Sequence, residues 1–581
     1  MKINYKLTLL LLLLLPLTGL CQAGKSGDGT YTLRIYATND LHGRFFDSLY
    51  IPTASQWVHP ASLASAVSVL NRARAEWGND RVILLDVGDH LQGDNAVFYY
   101  NFVDTAATHI MPRVMNYLKY DAVVVGNHDI EPGQRVYDKV KRELHMPYLA
   151  ANAIDTRSGE PYFEPYTILN KAGVKIAVIG LTNPNIPNWL SPDLYKNIKF
   201  TEIVPALEHW VEVVRSKEQP HFVIVAMHAG LGDIAVNETE NPARYVAENV
   251  KGIDLVFAAH DHQFTAEKLL NHGKELWLLE GGSRAAALSL VTLELTIKNN
   301  QTVSVKVQGE TISLKGVQAD SAYSRYFRPD FLKVRAFTSR PVGTLQNTIS
   351  SRDALFGPSA YVDMIHALQL EASNADISFA APLSFNTRIE KGTLNYQHLF
   401  DIYPFENQLN VIKMTGQEVK GYLEYSYSGW IDTHPRESGH LLGMAQDPKT
   451  GRMRLKNPAY NFDSAAGILY EVDINKPEGE RIHIVSMADG TPFRPEDTYT
   501  VALTSYRASG GGYLLEKGAG ISKQDLEKRV VARLADIREI LYQQIQAKGY
   551  IKAEKLNQWQ FVPGDIARPL AEKDKALLFA K

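Results

Sequence analysis

Side chains that could hold metal ions recur through the first half of this sequence. Some come in pairs separated by one residue, as in Asp40-Leu41-His42 and His260-Asp261-His262. The candidate ligands are Asp40, His42, Asp89, Asn127, His228, His260 and His262. Carboxylate and amide oxygens combined with imidazole nitrogens suit an ion of Zn, Mn, Fe or Co. The set contains no sulfur, which argues against a structural zinc site. Their chemistry predicts a site for two divalent ions.

Each of these groups follows a short apolar stretch that is typical of a buried strand. The stretches are residues 32–37, 82–85, 123–125, 222–226 and 255–259. In parallel α/β sheets, ligands collect outside the carboxyl ends of the strands, so polar residues at these ends favour one shared pocket. A single histidine at a strand end is more often an ordinary hydrogen-bonded residue. His90 and His145 lack this placement, and we predict structural roles for both.

The elements that must position these residues alternate along the chain. The strand-like stretches are separated by amphipathic segments, among them residues 62–74 and 205–215, which is the pattern of a layered α/β domain. Residues 289–297 and 302–307 alternate apolar and polar side chains and predict antiparallel strands. We therefore expect one α/β domain over residues 24–318.

The second half of the chain has a different organisation. Aromatic residues recur at roughly helical spacing over residues 319–341, which predicts a connecting segment that is at least partly helical. Residues 342–562 mix helix-like and strand-like stretches and predict a second globular domain, with a long closing helix over residues 523–548. The charged tail, residues 563–581, is expected to be peripheral.

Composition sets broad limits on the class of protein. The chain has 581 residues, is 45% hydrophobic and 22% charged, and carries a formal net charge of -3. This is enough chain for two large domains or three to four small ones, and the overall charge gives no support to a nucleic-acid polymer as a partner.

Residues 1–23 predict an export signal. Lys2 and Lys6 precede an apolar run that is too short to span a bilayer, and small residues favour cleavage after Ala23. Cys21 is the only cysteine of the chain, and it is either removed with the signal or kept as a lipid anchor. We expect a periplasmic or outer-surface protein without internal disulfides or thiol catalysis.

The order of the motifs resembles that of the calcineurin-like metallophosphoesterases. The matching residues are Asp40-x-His42, Gly88-Asp89, Gly126-Asn127-His128-Asp129, His228 and His260-x-His262, with Ala259 where the family usually has glycine. More narrowly, the chain resembles the bacterial exported 5'-nucleotidases and 2',3'-cyclic-nucleotide phosphodiesterases, which add a C-terminal nucleotide-binding domain. The resemblance implies a four-layer α/β/β/α catalytic domain followed by an α+β substrate-binding domain.

The resemblance also implies how the ligands divide between two ions of Zn, Mn or Co. Asp40, His42, Asp89 and His262 would hold one ion, and Asp89, Asn127, His228 and His260 would hold the other, with Asp89 bridging. Two such ions lower the pKa of a shared water and neutralise the phosphoryl oxygens while the metal-bound hydroxide attacks in line. His128 would donate a proton or hydrogen bond to the phosphate or the leaving oxygen, and Glu131 would orient it.

The second domain carries a resemblance to nucleotide-binding loops. Pro404-Phe405-Glu406-Asn407 resembles the stretch in which a phenylalanine stacks on the base and an asparagine bonds its edge. Residues 505–513 resemble the family's second aromatic loop, with Tyr506 as the stacking ring. The run Gly510-Gly511-Gly512 lacks the aspartate that many 5'-nucleotidases have there, and it looks more like the cyclic-phosphodiesterase branch.

Two arginines, Arg352 and Arg388, fall near positions where the family clamps the phosphate or the base edge. A planar guanidinium that is always charged suits both tasks. The surrounding match is weak, and a solvated surface position explains the two residues equally well.

The leading functional prediction is an exported two-metal phosphohydrolase that removes phosphate from nucleotides, as a 5'-nucleotidase does. The same residues leave open a 2',3'-cyclic-nucleotide 2'-phosphodiesterase with 3'-nucleotidase activity. A protein of a different class, a non-catalytic nucleotide or metal binder, would have no use for His128 as a proton donor. For the enzymes, the substrate must bridge the interface between the two domains.

Overall fold

The computed structural model describes residues 27–48, 61–447 and 451–579. The predicted export signal, including Cys21, lies outside these residues. Within the described part of the chain, no helix is both long and apolar enough to cross a membrane.

Two six-stranded sheets form the centre of the first domain. In the first sheet the strands lie in the order Gln301–Ser313, Ala287–Lys298, Gly29–Thr38, Val82–Asp86, Ala122–Val124 and Tyr148–Leu149. In the second sheet the order is Phe264–Asn271, Lys274–Gly281, Leu255–Phe257, Phe222–Met227, Val174–Leu181 and Tyr166–Lys171. The predicted strands before the candidate ligands are confirmed, and each has a parallel neighbour, which explains their continuous apolar character.

The two sheets pack face to face, with helices on their outer faces. Side chains such as Leu33 and Ile83 of the first sheet are fully buried with Ile224 and Leu255 of the second. Helices Leu63–Trp77, Ile110–Leu118 and Gln134–Glu143 cover the first sheet, and Ile203–Val213 and Ala243–Asn249 cover the second. Full burial of one such aliphatic side chain contributes roughly 1.5–3 kcal/mol. The predicted α/β/β/α layering is confirmed.

One helix, Ser321–Thr338, occupies the predicted connecting segment. Its N-terminus is capped by Asp320, whose side chain accepts a hydrogen bond from the Tyr323 amide at 2.8 Å. Tyr323 and Phe331 are buried in the core of the first domain, whereas Phe337 is buried in a core of the second. The helix therefore joins the two domains through its own packed side chains.

A five-stranded sheet organises the second domain. Its strands lie in the order Ser464–Ala466, Ile377–Ala380, Thr498–Thr504, Gln408–Thr415 and Val530–Asp536. Helix Gly416–Trp430 packs in the core on one side, and Ala360–Ser373, Tyr396–Ile402 and Ile537–Lys548 pack on the other. The predicted α+β class of this domain is confirmed.

The prediction of one helix over residues 523–548 is wrong. Helices Lys523–Arg529 and Ile537–Lys548 are separated by the strand Val530–Asp536, which pairs with Gln408–Thr415 at the edge of the sheet. The edge position offers backbone hydrogen bonds to this segment. These bonds outweigh the helical propensity of the charged residues on both sides.

The prediction of a peripheral tail is also wrong. Gly564–Leu578 is a helix, and its Asp574 is fully buried. The Asp574 carboxylate accepts hydrogen bonds from the amides of Leu441 and Leu442 at 2.7 and 2.9 Å. A charged residue that serves buried backbone groups cannot be told apart, in sequence, from one that is solvated.

Candidate active site

The candidate metal ligands meet where the carboxyl ends of both sheets come together. Ligand atoms of Asp40, His42 and His262 lie within 4.8 Å of one another, and those of Asp89, His228 and His260 form a second such group. Each group combines residues that follow strands of the first sheet with residues that follow strands of the second. The contact of the two sheets, rather than one sheet alone, assembles the site.

Asn127 joins the second group through His260. The Asn127 Oδ1 lies 2.9 Å from His260 Nδ1. On the other side of the ring, His260 Nε2 donates a hydrogen bond to Glu240 Oε1 at 3.1 Å, and with the single proton of an imidazole on Nε2, Nδ1 carries a lone pair. Two acceptor atoms that face each other at this distance fit a shared cation, with Glu240 fixing the tautomer of its ligand.

The same arrangement recurs at two other histidines. His228 Nδ1 donates to the Val87 carbonyl at 2.7 Å, and its ring is fully buried. Its Nε2 lies 3.2 Å from Asp89 Oδ2. His42 Nδ1 also donates to a backbone carbonyl, which leaves its Nε2 lone pair 3.1 Å from the Nε2 of His262. Imidazole nitrogens beside buried carboxylates are the donor set that a divalent ion requires, so the residues fit two such ions.

Most of the ligands have a left-handed backbone. The φ angles are 48° at Asp40, 45° at His42, 63° at Asp89, 88° at His260 and 58° at His262. Residues with side chains avoid this region, at a cost of about 1–3 kcal/mol each, and such strain persists where the surroundings fix it. The sharp turns aim the side chains back over the strand ends. Position 126 requires glycine, because a Cβ at Gly126 would lie 2.1 Å from Asp89 Oδ1.

Burial and charged neighbours set the pKa values of the candidate ligands. Burial disfavours the charge of Asp89, but the neighbouring His228 and His128 outweigh this effect and hold the pKa of that carboxyl well below its usual range. Burial lowers the pKa of His42 to about 3, which keeps its ring neutral. A bridging carboxylate and a neutral imidazole are the protonation states that metal ligation needs.

His128 lies beside the ligands without belonging to either group. Its amide donates to Asp89 Oδ1 at 2.8 Å, and its ring Nδ1 is bonded to Glu131 Oε2. Burial opposes the charged ring, but Asp89 and Glu131 outweigh it and raise the pKa of His128 to about 10. With Nδ1 bonded to Glu131, Nε2 is the ring nitrogen left to serve a substrate.

A cavity of about 1090 Å³ lies between the two domains and contains this site. On the first-domain side it is lined by His42, Asp89, Asn127, His128, Glu131, His260 and His262. On the second-domain side Phe405, Asn407 and Tyr506 line it. Asp40 and His228 lie beneath its floor and are fully buried. The structure thus brings the candidate base-binding residues to the same cavity as the metal ligands.

Arg352 and Arg388 do not line this cavity in the described structure. Arg352 is bonded to Asn386, and its guanidinium lies over the Phe579 ring at 4.9 Å. Arg388 is an exposed residue paired with Glu390 at 2.7 Å. Both therefore have partners of their own away from the metal groups.

Two other arginines, which the sequence did not single out, hold the loops that carry the candidate base-binding residues. Arg538 is buried and donates to the carbonyls of Tyr403 and Phe405 at 3.0 and 3.1 Å. Arg507 is buried against Asp463, with two hydrogen bonds of 3.0 and 2.7 Å. A fork of fixed donors can fix a loop in this way because it serves several acceptors at once. Only the position of Arg507, next to Tyr506, could have suggested its role.

The glycine run explains how the Tyr506 ring is accommodated. A Cβ at Gly511 would lie 2.5 Å from that ring, and one at Gly512 would lie 2.5 Å from Arg507 Nη1. Gly512 also has a φ of 74°. The glycines therefore leave the space in which Tyr506 and Arg507 pack, whatever they contribute to the substrate directly.

Comparisons with known proteins agree with this geometry. Residues 33–264 match the calcineurin-like phosphoesterase family, and residues 341–516 match the C-terminal domain of 5'-nucleotidases. A 2',3'-cyclic-nucleotide 2'-phosphodiesterase/3'-nucleotidase of Yersinia enterocolitica is 25% identical over 93% of this chain and 90% of its own length. A 5'-nucleotidase of Vibrio cholerae is 25% identical over 84% of this chain and 86% of its own.

Two further matches also cover most of the chain. The trifunctional nucleotide phosphoesterase YfkN of Bacillus subtilis is 25% identical over 97% of this chain, which spans 42% of that protein. A Staphylococcus aureus protein solved in complex with alpha-ketoglutarate has the same fold, with a TM-score of 0.75, 20% identity, and coverage of 91% of this chain and 100% of that one. The chain therefore combines a calcineurin-like phosphoesterase domain with a 5'-nucleotidase C-terminal domain, and it is a metal-dependent phosphoester hydrolase.

Proposed function

We propose that this protein is an exported enzyme that removes phosphate from nucleotides, with two ions of Zn, Mn or Co as its cofactors. The observation that carries this proposal is one cavity lined by members of both metal-ligand groups, by His128 and by the aromatic residues Phe405 and Tyr506. When bound, such an ion pair supplies an activated water and neutralises the charge on the phosphoryl group. This arrangement serves an ester whose phosphate lies at the first domain and whose base lies at the second.

Within this proposal each residue has one task. Asp89 holds both ligand groups in register, and Glu131 keeps the Nδ1 proton of His128 in place. His128 Nε2 then donates to the phosphate or to the leaving oxygen. These assignments follow from the contacts of His128 with both acids, which an inert surface histidine would not need.

The second domain would bind the nucleoside. The rings of Phe405 and Tyr506 would stack on the base, and Asn407 would bond its edge. Aromatic stacking tolerates different bases because every base has a π-face. Arg352 and Arg388 remain predictions, and a role on the phosphate would require a different arrangement of the two domains.

Export is proposed from residues 1–23, and lipid attachment at Cys21 is a proposal of the same kind. The charged start, the short apolar run and the small residues near Ala23 support it. The relatives that are called 5'-nucleotidases support nucleotides as the substrate class, and an exported enzyme would serve the salvage of nucleotides outside the cytoplasm.

The second candidate activity is opening of 2',3'-cyclic nucleotides followed by removal of the 3'-phosphate. The specific observation in its favour is the loop Gly510-Gly511-Gly512, which carries no acid to bond the ribose hydroxyls. A cyclic phosphate occupies those hydroxyls, so it would not need such an acid. The similarity to the Yersinia enterocolitica enzyme over 93% of this chain supports the same candidate.

One experiment decides among these candidates. Metal-free protein is loaded separately with Zn, Mn or Co and assayed for phosphate release from 5'-AMP, 3'-AMP and 2',3'-cyclic AMP, with a chelator-treated control. Faster turnover of 5'-AMP would support the first candidate, and faster turnover of the cyclic or 3' compound would support the second. A protein that binds two ions but releases no phosphate from any nucleotide would be a binder, and the proposed function would fail.

A further inference from the structure

A buried carboxylate behind the metal site, Asp129, serves an unusual number of backbone groups. Its Oδ1 accepts hydrogen bonds from the amides of His90 and Leu91 at 2.8 and 3.1 Å. Its Oδ2 accepts from the amides of Gly126 and Asp89 at 2.8 and 3.1 Å. Asp129 itself is fully buried, so these bonds are made away from water and are charge-assisted.

The amides that Asp129 binds belong to two different loops. One loop follows the strand Val82–Asp86 and carries Asp89, and the other follows Ala122–Val124 and carries Asn127. One carboxylate therefore fixes the loop of the bridging ligand against the loop of a ligand to the second ion. The direct bond from the His128 amide to Asp89 Oδ1, at 2.8 Å, spans the same gap.

The hydrogen bonds from the four amides to Asp129, which we call the Asp129 clamp, are needed because the backbone of the Asp89 loop is strained. Asp89 has a φ of 63°, and Gly88 before it has a φ of 96°. A left-handed residue with a side chain relaxes unless its surroundings hold it. The two loops also approach so closely that a Cβ at Gly88 would lie 2.8 Å from the Gly126 nitrogen. Small movements of either loop would therefore change the separation of Asp89 and Asn127.

His90, for which the sequence predicts a structural role, holds the clamp in turn. Its ring is fully buried between two acids, with Nδ1 3.2 Å from Asp129 Oδ2 and Nε2 2.5 Å from Asp86 Oδ1. Asp86 also accepts a hydrogen bond from the Gly88 amide at 2.8 Å. The row of Asp86, His90 and Asp129 thus connects the ends of two neighbouring strands beneath the metal ligands.

We propose that Asp129, held by His90, is a positioning residue that sets the distance between Asp89 and Asn127 and thereby controls binding of the ion assigned to Asp89, Asn127, His228 and His260. The inference rests on the proposed two-metal function. The ion assigned to Asp40, His42, Asp89 and His262 shares Asp89, but the amides of its other three ligands do not bond to Asp129, so it depends on Asp129 less. Asp129 touches neither substrate nor metal and acts only through the two loops.

The first test uses the metal-free full-length protein and needs neither metal nor substrate. In Asp129→Asn, one oxygen becomes an NH2 group that cannot accept from the backbone amides. Hydrogen exchange should then quicken at residues 88–91 and 126–128 and stay unchanged at residues 222–228. Wild-type exchange at both loops in this variant would overturn the proposal.

The second test measures metal binding. Metal-free protein is titrated with Zn against a competing chelator, and bound ions are counted at each step. Asp129→Asn should weaken one of the two binding steps about 10- to 100-fold, as loss of a group behind metal ligands commonly does, and should weaken the other step by a clearly smaller factor. His90→Gln, which keeps all four hydrogen bonds from the backbone amides to Asp129, should shift the same step in the same direction by a smaller factor.

Asp330→Asn is the matched control. Asp330 is also a buried acid, and it accepts a hydrogen bond from Tyr100 at 2.6 Å and pairs with Arg113, but it lies on the connecting helix. This variant should lower the melting temperature and leave both binding steps intact. Equal weakening of both steps in Asp129→Asn, or none, would overturn the proposal. If Asp129→Asn does not fold, wild-type binding by His90→Gln would overturn it.

A failure of the proposed function would be recognised separately. In that case the wild-type protein itself would bind fewer than two ions or release no phosphate. The exchange measurement on metal-free protein would still report whether Asp129 holds the two loops together.

Discussion

Glu240 Oε1 accepts a hydrogen bond from His260 Nε2 at 3.1 Å, opposite the ring nitrogen that faces Asn127. The second Glu240 oxygen accepts from Asn185 Nδ2 at 3.3 Å. Trp189 stacks on the same histidine, with ring centroids 5.2 Å apart and 26° between the planes. His260 is therefore fixed in tautomer by an acid and in orientation by an indole before any ion binds.

Replacing Glu240 should weaken metal binding without removing a ligand. In Glu240→Ala the Nε2 proton loses its acceptor, so His260 can rotate or change tautomer, and we expect a loss of about 10- to 100-fold in metal affinity or activity. Glu240→Gln keeps one acceptor oxygen and should lose less. Titration with Zn measures the effect, and Glu238→Ala on the same loop is the control. Wild-type affinity in Glu240→Ala would show that Trp189 alone is sufficient.

His128→Ala should separate proton donation from metal binding. The ring touches Glu131 and lies 5.4 Å from the His42 ring, centroid to centroid, but belongs to neither ligand group. We expect kcat to fall by about 10²–10⁴, the usual contribution of a general acid. Metal content should remain at the wild-type value, because every ligand is still present.

The measurement is steady-state kinetics combined with metal analysis of the same samples. Glu131→Gln should cost less than His128→Ala, since the ring remains and loses only its charged partner. A loss of bound metal in His128→Ala would contradict the assignment and would make this residue part of the metal site.

The grouping of the candidate metal ligands could be predicted from the sequence because its signal is local. Each ligand follows an apolar strand, and the type of the side chain and its place in the chain are both visible. The left-handed backbone of Asp89, with a φ of 63°, is not visible, because nothing in the residue type requires it. Glu240 does not directly follow a strand. It can bond to His260 only because the loop that carries Glu240 folds over that histidine.

The substrate side was harder to predict because its residues depend on packing between distant segments. Phe405 and Tyr506 reach the cavity because buried Arg538 and Arg507 hold their loops, and no spacing in the sequence reveals that. Arg352 resembles a family arginine but is engaged by Asn386 and Phe579. Similarly, the edge strand Val530–Asp536 is set by pairing with a partner more than one hundred residues away.

Gly511→Ala should test whether the Tyr506 ring binds the base. The new Cβ would lie 2.5 Å from the ring and must displace it. A stacked base contributes about 1–3 kcal/mol, so KM for a nucleotide should rise roughly 5- to 150-fold. Hydrolysis of p-nitrophenyl phosphate, which has no base, should keep its wild-type kcat because the metal site is untouched.

Gly564→Ala is the matched control for this substitution. A Cβ at Gly564 would meet Arg568 at 3.6 Å, which is an ordinary contact at the start of the helix Gly564–Leu578. It should leave both substrates unaffected. Equal losses on the nucleotide and on p-nitrophenyl phosphate in Gly511→Ala would show that the loop supports the catalytic site rather than the base.

Acid should destabilise the second domain through His366. The ring is fully buried between Ser378 and Ser464, at 2.9 and 3.0 Å, and burial, only partly opposed by Asp463, lowers its pKa from 6.5 to about 3. Below pH 6.5 the unfolded chain binds a proton that the folded chain excludes, so stability is full above this pH and is lost as pH falls. Between pH 6.5 and 5 the loss should be about 2 kcal/mol. His366→Gln can bond both serines without titrating, so its unfolding free energy, measured in urea at each pH, should lack this part of the slope. An unchanged slope would mean that the buried ring takes up a proton without leaving its place.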